Sequence, residues 1–167
     1  MRDYKAPWST SLMVISSLST ILCLGVAFLA VRVDHRLMSW PGLLPPALLI
    51  GTVPFAIRGY TITPNAILVH RLFWTTRLPL AGIASARFDP DAMRGSIRTF
   101  GNGGMFSFTG FYRNARLGAF RAFVTDQHKT IVLRYPNRTV VISPGEPEDF
   151  IRHLAILGHA GQTIMQG

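Results

Sequence analysis

The sequence has little cysteine and few acidic residues, and each shortage excludes a class of protein. Cys23 is the only cysteine among 167 residues, so one chain can form neither a disulfide framework nor a cysteine-based zinc site. Asp and Glu number 8 against 17 Lys and Arg, which gives a formal net charge of +9. So few carboxylates leave few candidates for acid–base catalysis. The positive excess favours contact with anionic partners instead.

Clustered histidines and the usual catalytic motifs are also missing. The sequence has no Gly-x-Ser-x-Gly nucleophile elbow and no Gly-Lys-Ser/Thr phosphate loop. The five histidines are scattered along the chain: His35, His70, His128, His153 and His159. We therefore expect no catalytic residues, no metal and no cofactor. An enzyme or transport component is the least favoured hypothesis, and it would depend on His128, Asp126 and Asp89.

Two long uncharged apolar runs occupy the first third of the chain. Trp8 to Val31 holds 24 residues and Leu37 to Ile57 holds 21. At about 1.5 Å per residue, each run as a helix is long enough to cross a hydrocarbon core of roughly 30 Å. The pattern predicts a transmembrane hairpin over residues 1–57, with helices at about 8–31 and 37–57. Because neither run contains an ionisable side chain other than Cys23, an ion pathway is disfavoured.

Two alternatives to this hairpin are open. The first run could be a cleaved signal peptide, although it exceeds the usual apolar length of about 7–15 residues and lacks a small-x-small cleavage site. The second run contains Pro41, Pro45, Pro46 and Pro54, which remove backbone donors and kink helices. It could therefore be a re-entrant or interfacial segment instead of a full span.

The basic residues around the runs predict the orientation of the hairpin. Arg32 and Arg36 lie in the link between the runs, whereas Arg2, Lys5 and the whole basic segment from Arg58 onward lie outside it. The positive-inside comparison therefore favours both termini in the cytoplasm. The segment from 58 to 167 carries 13 Lys and Arg against 6 Asp and Glu, which suits a domain beside anionic headgroups.

After Arg58 the pattern changes to short apolar segments separated by turn residues, which predicts a mainly β domain of the α+β class over residues 58–158. The predicted strands are 60–62, 66–72, 73–78, 83–88, 118–125, 130–135 and 138–142. Glu148 and Asp149 sit where a helix dipole favours acidic side chains, and an apolar face follows. We expect a C-terminal helix over 147–157, a tail over 159–167, and a small barrel or sandwich closed by that helix.

A glycine-rich segment, Phe100 to Tyr112, is the most distinctive part of this domain. It is not a dinucleotide fingerprint, because Phe106 stands where the third glycine belongs and no helix pattern follows. Its glycine loop could form an anion-binding nest of amides, or simply a hairpin turn or bulge. Phe106 and Phe108 alternate as the core face of a following strand would. The loop residues are Gly101, Asn102, Gly103 and Gly104.

An arginine-rich stretch without a single acidic residue lies between Asp91 and Asp126. Arginine interleaved with aromatic residues suits anionic lipid headgroups or a protein partner, and a solvated basic loop is the plainer alternative. RNA is disfavoured by tethering to a membrane, so we expect no nucleic acid. The candidate contact residues are Arg94, Arg98, Arg113, Arg116, Arg121, Phe111 and Tyr112.

Several of these segments together resemble the bacterial pleckstrin-homology-like (PH-like) domain proteins. The resemblance rests on Gly101–Gly104 with Phe106 and Thr109-Gly110, on Leu117-Gly118, on Val124–Asp126, and on Ser143-Pro144 with Phe150. It covers about residues 58–157. It implies two roughly orthogonal antiparallel sheets closed by a C-terminal helix, no catalysis, and attachment to transmembrane helices.

The combined expectation is a non-catalytic PH-like module anchored in the bacterial inner membrane by two spans. It would bind a partner protein or the anionic membrane surface. The alternative is a structural or assembly subunit of a larger membrane complex that uses an exposed sheet edge. Homo-oligomerisation is compatible with both hypotheses.

Overall fold

The computed structural model describes residues 2–33 and 40–164 as three helices and ten strands, with one 3₁₀ turn at Val53–Phe55. The helices are α1 (Thr10–Val33), α2 (Trp40–Thr52) and α3 (Pro147–Ile164). The strands are β1 (Arg2–Lys5), β2 (Ile57–Ile62), β3 (Ala66–Arg71), β4 (Thr75–Pro79), β5 (Ser85–Phe88), β6 (Ile97–Gly103), β7 (Phe108–Asn114), β8 (Gly118–Val124), β9 (Ile131–Tyr135) and β10 (Arg138–Ile142).

The strands form two sheets. The smaller sheet has the order β1-β2-β3-β4, and all its neighbours are antiparallel. The larger sheet has the order β5-β9-β10-β8-β7-β6. It differs from the expected antiparallel sheet in one pair, because the chain passes through β9 before it returns parallel to β8 as β10. A mainly β fold with a C-terminal helix is therefore confirmed.

The main core lies where the two sheets and α3 meet. It combines Tyr60 and Val69 from the smaller sheet, Phe123 and Ile142 from the larger sheet, and Phe150 from α3. All five are fully buried. Removing this apolar surface from water stabilises the fold by about 25 cal/mol per Å². Since residues from 60 to 150 contribute, the core forms only when both sheets are in place.

A second core lies against the larger sheet and includes a residue of α1. Leu12, near the start of α1, is fully buried among Phe108, Phe120 and Val124 of that sheet and Met93 of the loop before β6. The backbone N–H of Ser9 donates to the carbonyl of Thr125 at 3.1 Å. The first turns of α1 are thus fixed to the β domain, and the helix projects from it.

The first strand differs from the prediction, which assigned residues 1–57 to a hairpin alone. Arg2–Lys5 pairs antiparallel with β2, with Lys5 opposite Gly59, and Tyr4 is buried in the main core. Arg2 also forms a 2.7 Å ion pair with Asp149 of α3. Four residues are too few to show a strand period in the sequence, and only the partner strand identifies them.

The apolar helices also differ in their bounds from the predicted 8–31 and 37–57. Helix α1 runs from Thr10 to Val33 and is long and apolar enough to cross a membrane, whereas α2 ends at Thr52 and does not reach that length. Pro54 follows in the 3₁₀ turn, because its ring fits a first turn but leaves no N–H for a continuing helix. Residues 34–39, which hold part of the predicted link and the predicted start of the second helix, lie outside the described residues.

Three further features differ from the sequence prediction: the end of α3, the segment of β6 and β7, and the position of Phe106. Helix α3 continues to Ile164, so the predicted stop at 157 and most of the predicted tail over 159–167 are replaced by helix, with 165–167 outside the described residues. Strands β6 and β7 occupy a segment interpreted mainly as a loop. Phe106 is not on a strand, since its φ is +64° in the turn between β6 and β7.

Candidate functional site

The glycine-rich segment forms the β6–β7 hairpin, and its tip lies against α1. The hydroxyl of Ser16 donates to the carbonyl of Gly104 at 3.3 Å and accepts from the N–H of Phe106 at 3.0 Å. The rings of Trp8 and Phe106 are 6.2 Å apart. Ser107 donates to the carbonyl of Phe55, at the other end of the apolar segment, at 2.8 Å. The tip therefore joins both ends of the apolar segment to the β domain.

Glycine is required inside this hairpin by close approach of the two strands. Gly101 pairs with Gly110, and their φ angles are +112° and +142°. A Cβ on Gly110 would lie 2.2 Å from the carbonyl oxygen of Phe100. The tip itself is closed by Asn102, whose side chain bonds the backbone N–H and carbonyl of Met105. Of the two predicted interpretations, the structure supports a tight hairpin, since the amides of Met105 and Phe106 are already bonded within the protein.

The predicted arginines do not form one surface. Cross-strand pairing places Arg121 beside Phe111, and Arg113 lies two residues further along β7, so these three share one face of the larger sheet. Arg98 pairs with Tyr112, whose side chain belongs to the opposite face. Arg94 lies exposed in the loop between β5 and β6. The stretch is therefore divided between two faces and a loop.

Two predicted contact residues have internal partners instead. Tyr112 is buried, and its hydroxyl donates to the carbonyl of Asn102 at 2.7 Å. Burial raises the pKa of Tyr112 to about 12. Arg116 forms a 2.6 Å ion pair with the buried carboxylate of Asp89 and also donates to the carbonyl of Asp91 at 3.1 Å. A charge that already has a carboxylate partner attracts an external anion less strongly.

A buried arginine that the sequence prediction did not select lies at the edge of the main core. Arg71, the last residue of β3, is 7% exposed. Ile67 and Val69 precede it on the same strand face, so period-two alternation carries Arg71 to the core side. In the sequence analysis Arg71 counted only as one of the 13 basic residues of the segment from 58 to 167. That alternation was the signal that would have identified it.

Aromatic rings surround the Arg71 guanidinium. Its Cζ atom lies 5.8 Å from the ring centre of Phe55, 5.4 Å from that of Trp74 and 5.1 Å from that of Phe123. Arg121 approaches the same Phe123 ring at 4.9 Å and the Phe111 ring at 5.7 Å. We call Arg71, Arg121 and these four rings the arginine–aromatic site.

The arginine–aromatic site carries positive charge without a compensating negative charge among the described residues. Burial, followed by the nearby charge of Arg121, lowers the pKa of Arg71 to about 10. Among the described residues, the guanidinium of Arg71 has no carboxylate or hydrogen-bond partner, and its Nε is fully buried. Ring faces offset part of the lost hydration, yet they supply no hydrogen-bond acceptor in the guanidinium plane. The site can therefore accept an anion.

An exposed apolar tip lies beside the arginine–aromatic site. The turn between β3 and β4 is Leu72-Phe73-Trp74, and Phe73 is 74% exposed. The Trp74 ring packs edge-on against Phe55 at 5.3 Å. Arg71 pairs with Ile57, the first residue of β2, which follows the 3₁₀ turn and Ala56. Tip and site thus lie where the chain leaves the apolar helices.

No group of three His, Cys, Asp or Glu side chains that could hold a metal ion occurs in the described ranges. Two of the histidines have other partners: His70 bonds Thr61 at 2.7 Å, and His153 bonds the Tyr4 hydroxyl at 3.3 Å. The arginine–aromatic site itself offers electrostatic contact through its guanidinium groups and apolar contact through its rings.

Comparison with known proteins identifies the domain. A family model for the bacterial PH domain matches residues 58–157, which is more than half of the chain. No curated protein and no solved structure gives a significant match. The matched range contains β3 to β10 and nearly all of β2, whereas β1 and both apolar helices lie outside it. PH domains are generally non-catalytic binding modules, and this chain belongs to the bacterial PH domain family.

Proposed function

We propose that the chain is a two-span membrane protein whose helical hairpin holds its PH-like module against the bilayer, where the module binds the anionic membrane surface. The observation that carries this proposal is the pairing of β1 with β2. One strand precedes the apolar helices and the other follows them. Since paired strands lie on the same side of a membrane, a crossing by α1 has to be followed by a return.

The side chains of α1 are distributed as lipid contact requires. Leu18, Ile21 and Leu22 point outward and are 62%, 68% and 68% exposed. The half-buried positions further along the helix are small, as in helix pairs that pack closely within lipid. They are Ser19, Thr20, Cys23, Ala27 and Ala30. A core helix of a water-soluble protein would bury its large side chains and expose the small ones.

The strand pairing also argues against a cleaved signal peptide. Cleavage after α1 would remove β1 and with it Tyr4, which is 5% exposed in the main core. It would also remove Leu12, a fully buried residue of the second core. Two core residues and one strand supplied by this segment support a helix that is retained in the mature protein.

The return span is the less regular of the two. At about 1.5 Å per residue, the 13 residues of α2 cover about 20 Å, and the 3₁₀ turn adds about 6 Å. Pro45 and Pro46 lie inside α2. Packing against α1 and the turn after Thr52 complete the return in this proposal, since neighbouring helices tolerate proline within lipid.

A topology measurement tests the two spans. In a Cys23→Ser background, we expect Arg36→Cys to react with an impermeant maleimide from outside intact bacterial spheroplasts. Lys129→Cys is expected to react only after permeabilisation, because it lies in the PH-like module. Reaction of both positions from the same side would contradict two full spans. Recovery of the whole protein in the water-soluble fraction would contradict membrane anchoring altogether.

A second candidate function, docking of a partner protein, is favoured by the edge strand β6. This strand has β7 on one side and no other strand neighbour in the described sheet. Ile97 and Phe100 on it are 73% and 75% exposed. An exposed edge with large apolar side chains suits addition of a strand from another chain. Crosslinking in membranes tests this function, and recovery of monomer alone would count against it.

A further inference from the structure

Arg71 is a buried cation without a partner, and nothing in the module described so far uses it. Its side chain is 7% exposed, and no carboxylate or hydrogen-bond acceptor of the described chain reaches its guanidinium. Buried charges in proteins are ordinarily paired, because removing an ion from water is costly. The three aromatic rings around Arg71 compensate only the ring-facing side of this group.

A second arginine, Arg121, adds another positive charge beside Arg71, without an acidic partner in the described chain. Arg121 lies over the same Phe123 ring at 4.9 Å and has no acidic partner among the described residues. Its positive charge acts against that of Arg71. Two guanidinium groups without a carboxylate form a place where an anion with several acceptor oxygens relieves both the burial and the repulsion.

The position of the site indicates what carries that anion. Phe55 ends the 3₁₀ turn after α2, and Trp74 belongs to the exposed apolar tip Leu72–Trp74. Phe111, beside Arg121, is 52% exposed. A ligand with a phosphate at the arginines and an apolar tail along these rings fits the juxtaposition. Such a molecule is a membrane lipid lying in the leaflet beside the hairpin.

We propose that Arg71 and Arg121 bind the phosphate group of an anionic phospholipid, with Phe55, Trp74 and Phe111 against its apolar part. Guanidinium groups match phosphate oxygens in a bidentate geometry, which a lysine would not reproduce. The inference rests on the proposed function, because the anchor places the site at the membrane surface. The inference adds a specific phospholipid-binding site to the general contact between the module and the membrane surface.

The full chain in neutral detergent is the sample for the test. Dihexanoyl phosphatidic acid is the lipid probe, dihexanoyl phosphatidylcholine is the neutral lipid control, and glycerol 3-phosphate is the soluble phosphate. We expect a saturable rise in thermal stability with the phosphatidic acid alone. A response of equal size and affinity to glycerol 3-phosphate would overturn the lipid source and assign the site to a soluble phosphate ester.

Three variants separate the site from general positive charge. Arg71→Met and Arg121→Met should each weaken the apparent affinity for phosphatidic acid about tenfold or more, because each removes charged hydrogen bonds. Arg152→Met removes the same charge from an exposed position on α3 and should leave the affinity within about threefold. Equal effects of all three variants, or no effect of the first two, would overturn the proposal.

The melting temperature of the variants without lipid shows whether Arg71 serves lipid binding or the packing of the fold. Arg71→Met removes an unpaired buried charge and keeps an apolar chain of similar length, so its melting temperature without lipid should equal or exceed that of the unmodified chain. Should Arg71→Met not fold, Arg121→Met at an exposed position carries the test. Suppose that maleimide labelling gives the expected topology while Arg71→Met and Arg121→Met bind phosphatidic acid with unchanged affinity. The proposed lipid site is then wrong, and the proposed membrane anchoring is unaffected.

Discussion

At the residue scale, polar groups inside the PH-like module link its two sheets. The hydroxyl of Tyr60 in β2 donates to the carbonyl of Phe123 in β8 at 2.7 Å and accepts from the N–H of Ser143 at 3.2 Å. The Ser143 hydroxyl in turn accepts from the N–H groups of Thr125 and Asp126. Because these groups are buried, an unmade bond costs about 1–3 kcal/mol. The network therefore helps to fix the position of one sheet on the other.

The tyrosines give a pH-dependent prediction. Burial raises the pKa of all four: that of Tyr60 and that of Tyr112 to about 12, and those of Tyr4 and Tyr135 in the same direction. The folded state keeps protons that the unfolded chain releases near pH 10. This contribution to stability is therefore complete below about pH 10 and is lost as the pH rises toward 12.

Ultraviolet titration of tyrosinate in the folded protein measures this effect. We expect Tyr60 and Tyr112 to remain protonated at about pH 10, and the folded protein as a whole to be less ionised there than the same chain in denaturant, which should be about half ionised. Tyr60→Phe is the matched variant, and it should remove one late-titrating group. Half-ionisation of all four tyrosines at pH 10 in the folded protein would contradict the burial described.

Two glycines with positive φ give a second prediction at this scale. Gly110→Ala places a Cβ 2.2 Å from a carbonyl oxygen of β6, whereas Gly118→Ala meets nothing within 4 Å. Both carry the cost of a left-handed or mirror-β backbone, but only the first adds a clash. We expect Gly118→Ala to cost about 1–2 kcal/mol and Gly110→Ala about 3 kcal/mol or more. Chemical denaturation in detergent measures both, and equal losses would contradict the tight hairpin.

At the scale of elements, α1 has two parts with different surroundings. Its first turns pack into the second core through Leu12 and contact the β6–β7 tip through Ser16. From Leu18 onward its large side chains point outward. The helix therefore begins as part of the β domain and continues as an exposed apolar segment, long enough to cross a membrane.

The same substitution at two positions of α1 tests this division. Leu12→Ala should lower the free energy of unfolding by about 2–5 kcal/mol, because it leaves a cavity in a closed core. Leu18→Ala should change it by less than about 0.5 kcal/mol, because the side chain is 62% exposed and loses few protein contacts. Thermal unfolding in one detergent measures both variants. A larger loss at Leu18 than at Leu12 would show that the helix faces the domain differently.

Elements with local signals were the ones that the sequence predicted well. The turn Pro136-Asn137 between β-branched runs identified β9 and β10, and Pro147 with the following acidic residues identified the start of α3. Strands β6 and β7 were missed because the four glycines of residues 97–114 and the exposed side chains of β6 weaken any alternation. Their pairing depends on backbone contact between Gly101 and Gly110, which no hydrophobic pattern records.

At the scale of the whole molecule, the apolar helices are inserted between two neighbouring strands of one sheet. The family match begins at residue 58, yet β1 and the start of α1 supply core residues before it. The fold thus includes one strand before the apolar helices and one strand after them. This arrangement ties the position of the module to the apolar helices, because β1, the β6–β7 tip and Phe55 all join the two parts.

A comparison of two chains tests how far the module depends on its first strand. We expect residues 57–164 alone to unfold at low denaturant concentration, since the edge of β2 and the Tyr4 position are left uncovered. Residues 1–7 joined to 57–164 by a short glycine–serine linker should be more stable, because Lys5 and Gly59 are already neighbours. Equal denaturation midpoints for the two chains would show that β1 adds nothing to the fold.

The sequence by itself determined the features that depend on neighbouring residues: the long apolar runs, the β9–β10 hairpin, the start of α3 and the positive charge. The tertiary structure alone decided that Arg2–Lys5 completes a sheet, that the predicted arginines are divided between faces, and that Arg71 is buried beside Arg121. The physical reason is the distance along the chain. Strand pairing and burial of a charge depend on residues tens of positions apart, which no local pattern brings together.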